Sequence, residues 1–190
     1  MNEQSYYDRI FEDLDYSDSG FRGIEYESCT FRDCDFSNSN LSQNVFMDCT
    51  FHSCNLSTAK LTGTSLKNVR FTNCKLTGVD FGSCNAFLFA VSFKTCHLDY
   101  AVFDRNRLHD TPFEDCRIQE ATFVESDLSE AVFQNCDLLR TTFSQNNLKG
   151  ADFRTAVNYT IDPATNRVQK ARFSYPGVLG LLENSDIIVE

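Results

Sequence analysis

The sequence predicts an all-β solenoid, a coil of short extended sides with four sides to a turn and about seven turns. Three observations predict it. Large apolar residues recur at every fifth position, one set of every fourth recurrence is uniformly Phe, and a small residue usually stands two positions earlier. Internal repetition of this kind precedes any reading of single elements.

The recurrence runs from Phe11 through Tyr16, Phe21 and Tyr26 to Phe81, slips by two, and resumes as Leu88 and Phe93 through Phe153. It contains 29 repeats, and the large residue of each is its centre. Side chains of an extended chain alternate between faces, so residues two before a centre share its side. Five is odd, and a straight strand would send successive centres to opposite faces. The chain must therefore turn once per repeat. A helix fails as well, because five residues advance it by about 500°, which winds the centres around every side.

The number of sides follows from the columns. Phe31, Phe51, Phe71, Phe93, Phe113, Phe133 and Phe153 stand at every fourth repeat, with the slip falling between Phe71 and Phe93. Cys34, Cys54, Cys74, Cys96, Cys116 and Cys136 repeat the same steps at the small position. Identical side chains stacked one strand apart pack as ladders, so four repeats make one four-sided coil.

In chain order, residues 1–10 are expected to form an N-terminal cap and residues 11–155 the coils. The slip, Phe81 to Phe93, is expected to be a bulge at one corner, where Phe87 or Phe89 could face solvent. Residues 156–190 are expected to form a C-terminal capping and dimerisation segment. Asp162-Pro163 marks a turn. Ser174 followed by Pro176 predicts the start of a helix of about nine residues, with Val178, Leu179, Leu181 and Leu182 as its apolar stripe. An open solenoid end exposes core and strand edge, so this helix could cap its own coil, pair with a second copy, or do both.

Composition bounds the function. The 190 residues fit one domain, and 42% hydrophobic content fits a folded chain. The start has no basic and apolar regions of a secretory signal, and no apolar run approaches a membrane span. Nine cysteines without such a signal point to a reducing cytoplasm. A net charge of −10 disfavours direct nucleic-acid binding and leaves open a basic protein partner.

All nine cysteines occupy the small inward position, which makes them buried apolar side chains rather than metal ligands or disulfide partners. His52, His97 and His109 lie in outward positions on three different faces, where they cannot converge into a zinc or nucleophile site. No phosphate loop, G-x-S-x-G or H-E-x-x-H occurs. Carboxylate pairs such as Glu114-Asp115 have no cleft to tune them. The chain is read as non-enzymatic, with no catalytic residue, metal or cofactor.

The triplet Ala151-Asp152-Phe153, with CNL, CKL, CDL and SDL elsewhere, resembles the pentapeptide-repeat family over residues 9–155. That resemblance implies a right-handed quadrilateral parallel β-helix with a short C-terminal capping helix. Some members, the quinolone-resistance proteins and a microcin-immunity protein, act on DNA gyrase by resembling duplex DNA. The tail here is similar to that immunity protein's, with I-x-P-x-x-N-R at 161–167 and a terminal Ile187-Ile188-Val189. The resemblance implies a homodimer through the C-terminal segment and a protein that binds DNA gyrase or topoisomerase IV. The alternative is a scaffold or interaction module for another protein. The quinolone-resistance group carries two longer loops, whereas this chain has only the two-residue slip.

The register also sorts the charges by face. The face centred on Phe36 carries Asp15, Asp18, Asp35, Asp99, Glu120 and Asp137 against three bases, and the Phe46 face carries Glu25, Glu27, Asp48, Asp110, Asp127 and Glu130 against three. These twelve carboxylates are the candidate partner-binding residues. The Phe31 face sums to −1 and the Leu41 face to zero. Seven coils make a rod of about 34 Å, and duplex DNA of that length would carry about 20 charges. The rod is a diluted electrostatic copy of DNA.

Overall fold

The computed structural model describes residues 4–183. Strands are three or four residues long and separated by corners. They run β1 (Gln4–Tyr7), β2 (Ile10–Glu12), β3 (Ile24–Glu27), β4 (Thr30–Arg32), β5 (Val45–Met47), β6 (Thr50–His52), β7 (Ser65–Lys67) and β8 (Val69–Thr72). They continue as β9 (Val91–Lys94), β10 (Pro112–Glu114), β11 (Thr122–Val124), β12 (Val132–Gln134) and β13 (Thr142–Ser144). All pairing is parallel, in stacks β1-β3-β5-β7, β2-β4-β6-β8-β9-β10-β12 and β11-β13. Phe31 pairs with Phe51 and Phe113 with Phe133, each one coil further on, and Phe71 pairs with Phe93 across the slip. The remaining sides pair through single bridges, such as Asp35 to Asn55 and Asn40 to Lys60. The expected four-sided β-solenoid of about seven coils is what forms.

The centres stack inside. Phe113 and Phe133 lie 4.8 Å apart at 2°, while Phe113 meets Phe123 of the neighbouring column edge-on at 6.2 Å and 85°. Stacked pairs run along the columns and T-shaped pairs cross them, which suits the quadrupole of each ring to all its neighbours. The small position also serves the backbone, because several of its polar side chains donate to the carbonyl of a centre in the coil before. Cys54 Sγ donates to Phe31 O at 3.5 Å, Thr64 Oγ1 to Leu41 O at 2.7 Å and Asn146 Nδ2 to Phe123 O at 2.8 Å. These bonds satisfy backbone groups buried at the corners.

Each corner is turned by the residue two after the centre, which takes a left-handed φ near +55°. Twenty-six non-glycine residues take such a φ, Asp33, Asn38, Asp48 and Glu130 among them, together with four glycines. Asp and Asn tolerate this region better than other L residues. The residue before the centre supports the turn: Asp35 Oδ1 accepts from Ser37 N at 2.8 Å, and Asn55 and Asp127 repeat the bond at Ser57 and Ser129. These are Asx turns.

Four expectations are corrected. Leu88 is not a centre: it is 61% exposed with φ of +57°, and Phe89, 6% exposed, fills the core instead. The ladder is regular at Asn85 N to Thr64 O and resumes at Ala90 N to Leu66 O, so the extra residues bulge between them. Phe87, 67% exposed, does face solvent, and Phe89 does not. Residues 4–10 are not a separate cap, because β1 already pairs in register with β3 and Tyr6 stacks on Tyr26 at 5.4 Å; residues 1–3 lie outside the described part. Nor do the coils stop at residue 155. Asn147 bridges to Arg167, Asp152 to Arg172, and Phe173 stacks on Phe153 at 5.4 Å, which continues two columns.

The fourth correction concerns the helix. Gly177–Leu181 forms a five-residue 3-10 turn, shorter than the expected helix. Gly180 lies so close to Tyr159 that an added Cβ would sit 2.1 Å from its carbonyl oxygen, and Ile161 N donates to Gly180 O at 3.0 Å. The turn is strapped flat to the last coil. Ile187, Ile188 and Val189 lie outside the described residues.

Candidate interaction surface

The twelve carboxylates divide by what they already do. On the Phe36 face, Asp99 is buried, accepts from Arg117 Nε at 2.7 Å and takes the Gln119 N–H at 3.1 Å. Asp137 accepts Gln119 Nε2 at 2.6 Å and Asn158 Nδ2 at 2.8 Å. Burial works to raise the Asp137 carboxyl, but these bonds outweigh it and hold the group below its ordinary value. Glu120 receives the Tyr100 hydroxyl at 3.3 Å and lies 3.8 Å from Arg140. Asp35 is half-buried, and the Ser37 hydroxyl heads the bonds that lower its pKa. Asp15 holds Ser17 through both its N–H and its hydroxyl. Asp18 is a left-handed corner residue, exposed at its side chain. Most of this acidity is engaged in the corners and in one internal network.

The Phe46 face differs. Glu25, Glu27, Asp48, Asp110 and Glu130 are exposed, and Asp48 accepts one hydrogen bond, from Asn68 Nδ2 at 2.6 Å. Asp127 alone is committed, to the Ser129 N–H and hydroxyl and to Asn147 Nδ2 at 2.8 Å. The five ion pairs among the described residues lie on the Phe31 and Phe36 faces. The two acidic faces have equal net charge, yet the Phe46 face presents more of it to a partner.

The cysteines are where the register placed them: all nine are buried free thiols. Burial pushes the Cys49 thiol up to about 12 and raises Cys84 as well. His109 Nδ1 lies 3.0 Å from Ser129 O, and His52 Nδ1 3.1 Å from Ser53 Oγ, on separate faces. Among the described residues, no three His, Cys, Asp or Glu side chains gather as a metal-binding group, and no helix is long and apolar enough to cross a membrane.

At the C-terminal end the turn leaves an open cleft of about 560 Å³, lined by Leu139, Val157, Tyr159 and Glu183 among others. The expected apolar stripe is split there. Val178 and Leu179 point outward, 38% and 49% exposed, while Leu181 packs on the core and Leu182 is half-buried. Sequence reasoning missed Tyr159, which is buried after Asn158 takes a left-handed φ of +60°, just as Phe89 follows Leu88. It also missed the donor column of Asn106, Ser126, Asn146 and Asn166, although its members recur once per coil.

This geometry defines a class: repeat solenoids that offer extended faces instead of enclosing a site. The chain belongs to the pentapeptide-repeat family, whose repeat-region model matches residues 24–87 and 86–158. Among solved structures it is similar to a trypsin-treated variant of QnrB1, a plasmid-mediated fluoroquinolone resistance protein, at 19% identity over 99% of both chains with a TM-score of 0.64. Full-length QnrB1 matches at 19% identity over 96% of this chain and 100% of that one, with a TM-score of 0.43. HetL, a pentapeptide repeat protein involved in heterocyst differentiation regulation from the cyanobacterium Nostoc sp. strain PCC 7120, matches at 13% identity over 91% and 90%, with a TM-score of 0.32. At these identities the likeness to QnrB1 is one of fold. A search of curated proteins finds no match.

Proposed function

We propose that this protein works by contact in the cytoplasm, without catalysis, and that its acidic solenoid docks on the basic DNA-binding surface of DNA gyrase or topoisomerase IV. Occupying that surface would give immunity to a gyrase poison or protection against quinolones. The observation that carries the reading is the set of exposed carboxylates on the Phe46 face, Glu25, Glu27, Asp48, Asp110 and Glu130, free of ion pairs and gathered in two blocks along the rod. Acidic side chains spread along one face of a rod suit basic groups arrayed for a phosphate backbone. The fold shared with a fluoroquinolone resistance protein supports the same reading.

A supercoiling assay tests it. The protein should inhibit gyrase at high concentration or restore supercoiling in the presence of a quinolone. Neither effect, together with no binding to either topoisomerase, removes the proposal. The diluted charge favours the second reading, a scaffold for another basic protein, and that reading would then stand.

The same proposal includes a homodimer through the C-terminal segment, for which Val178 and Leu179 supply exposed apolar surface. Leu179→Asp should convert dimers to folded monomers by light scattering. A wild-type monomer, or an unchanged dimer in the variant, would discard this interface.

A further inference from the structure

The two-residue insertion places its apolar side chains in solvent where the core has no use for them. Phe89 alone fills the interior, leaving Phe87 67% and Leu88 61% exposed. Leu88 also takes a left-handed φ of +57°, as do Asp48, Asn68, Asp110 and Glu130, one in each coil. It is therefore the one apolar member of an acidic corner column. A left-handed leucine costs about 1 kcal/mol relative to its preferred backbone, and an exposed one gains no offsetting burial. The left-handed φ is the corner geometry that this fold imposes throughout; what sets the site apart is that Leu88 and its neighbour Phe87 are adjacent exposed apolar side chains.

The surroundings give the contact its character. Lys67 Nζ lies 5.9 Å from the Phe87 ring centroid, over its face, and steadies the ring from one side. Asp48 stands two coils before Leu88 in the column, and Asp110 and Glu130 follow it in the next two coils. An aromatic and aliphatic anchor within a polar, charged rim is the arrangement that concentrates binding energy in protein interfaces. Lys67 and Asn68 lie in the coil before the pair, and Asp48, Asp110 and Glu130 extend the face on either side. The face as a whole is net acidic, so the complementary surface is basic, with an apolar pocket at its centre. A nucleic acid or an anionic membrane would be repelled.

We infer that Phe87 and Leu88 form the central anchor of the partner-binding face, that this face is the Phe46 face, and that its occupant is a basic protein surface carrying an apolar pocket. The inference rests on the gyrase or topoisomerase IV reading above, and it says which face makes the contact and where its energy lies.

Three proteins tested against purified DNA gyrase and topoisomerase IV, by equilibrium binding and by supercoiling, decide it. They are the wild type, the double variant Phe87→Ser with Leu88→Gly, and the control Tyr100→Ser, which removes an exposed ring from the Phe36 face. Glycine suits the left-handed backbone, so the double variant should melt at or above the wild-type temperature. It should nevertheless bind about tenfold or more weakly, while the control binds as wild type. Equal loss in the control and the double variant, or no loss in the double variant, overturns the anchor and leaves the topoisomerase reading intact. A wild type that binds neither enzyme sinks that reading, and this inference with it.

Discussion

At the residue scale, the five-residue unit gives each side chain one physical role. The centre fills the core, the small position two before it packs beside it and in several coils supplies a buried carbonyl with a hydrogen bond, and the position two after it bends the chain. Asn146 shows how much can rest on the second of these. Its amide donates to Phe123 O at 2.8 Å, its Oδ1 accepts from Ser126 N at 2.9 Å, and its own N–H reaches Asn166 Oδ1 at 3.0 Å. Asn146→Ala leaves a buried donor and acceptor unpaired and should cost about 2–4 kcal/mol in denaturant unfolding. Cys136→Ala, which removes a weak thiol donor from the same kind of position, should cost about 1 kcal/mol. Equal costs would show that the small position is about volume alone. The thiols also set a pH limit. Burial holds Cys49 protonated up to about 12, against 9.0 for an exposed thiol. Between those values the unfolded chain loses protons that the folded chain keeps. Stability should therefore be flat near neutral pH and fall as pH rises from 9 toward 12, read from melting temperatures with thiolate absorbance as the monitor.

At the element scale, most of the coil is legible in the sequence because its period is short and its centres are large. Phe31, Phe51 and Phe71 fall into one column from spacing alone, and the thiols with them. The insertion is not legible in the same way. Phe87, Leu88 and Phe89 are three consecutive apolar residues, and only the ladder of the preceding coil, broken after Asn85 and resumed at Ala90, selects Phe89 for the core. The tail misleads for another reason. Asn158 and Pro163 stand where centres are due, so the period breaks off in the sequence, although Val168 and Phe173 keep step with Leu148 and Phe153. The Ser, Pro and leucines of the cap suggest a helix, yet Gly177 and Gly180 are there to let a tighter turn lie against Tyr159. Gly180→Ala tests that account. Its Cβ meets backbone, which cannot swing aside, so the turn should lift from the last coil and the Ile161 amide should lose its partner. Hydrogen exchange at Ile161 should rise at least tenfold while Phe113 and Phe133 amides stay protected. An unchanged Ile161 amide would mean that the strap is looser than the contact distances imply.

At the scale of the whole molecule, the question is how closely a rod of stacked coils can stand in for DNA. Length and strand spacing favour the comparison, since both are repeating rods with one set of groups per short axial step. Charge does not, because four faces summing to −7 oppose roughly 20 phosphate charges over the same length. That sum already counts the bases, among them Arg117 at Asp99 and Arg154 at Asp152, so it is the whole charge the rod can offer. A contact made mainly through Phe87, Leu88 and the few free carboxylates around them would depend on salt much less than DNA binding does. A protein that neutralises six to ten phosphates loses about 10³- to 10⁵-fold in affinity between roughly 50 and 200 mM salt. With about a third of the charge engaged, the loss for this rod should be about twentyfold over the same range. The residual affinity at high salt should come from the apolar anchor, so the Phe87→Ser, Leu88→Gly variant should show its largest deficit there. Titrating gyrase with the rod and with a duplex of equal length, at matched salt concentrations, compares the two slopes directly. A slope as steep as that of DNA would mean that phosphate-like charge alone makes the contact, and the exposed phenylalanine and leucine would then have no part in it.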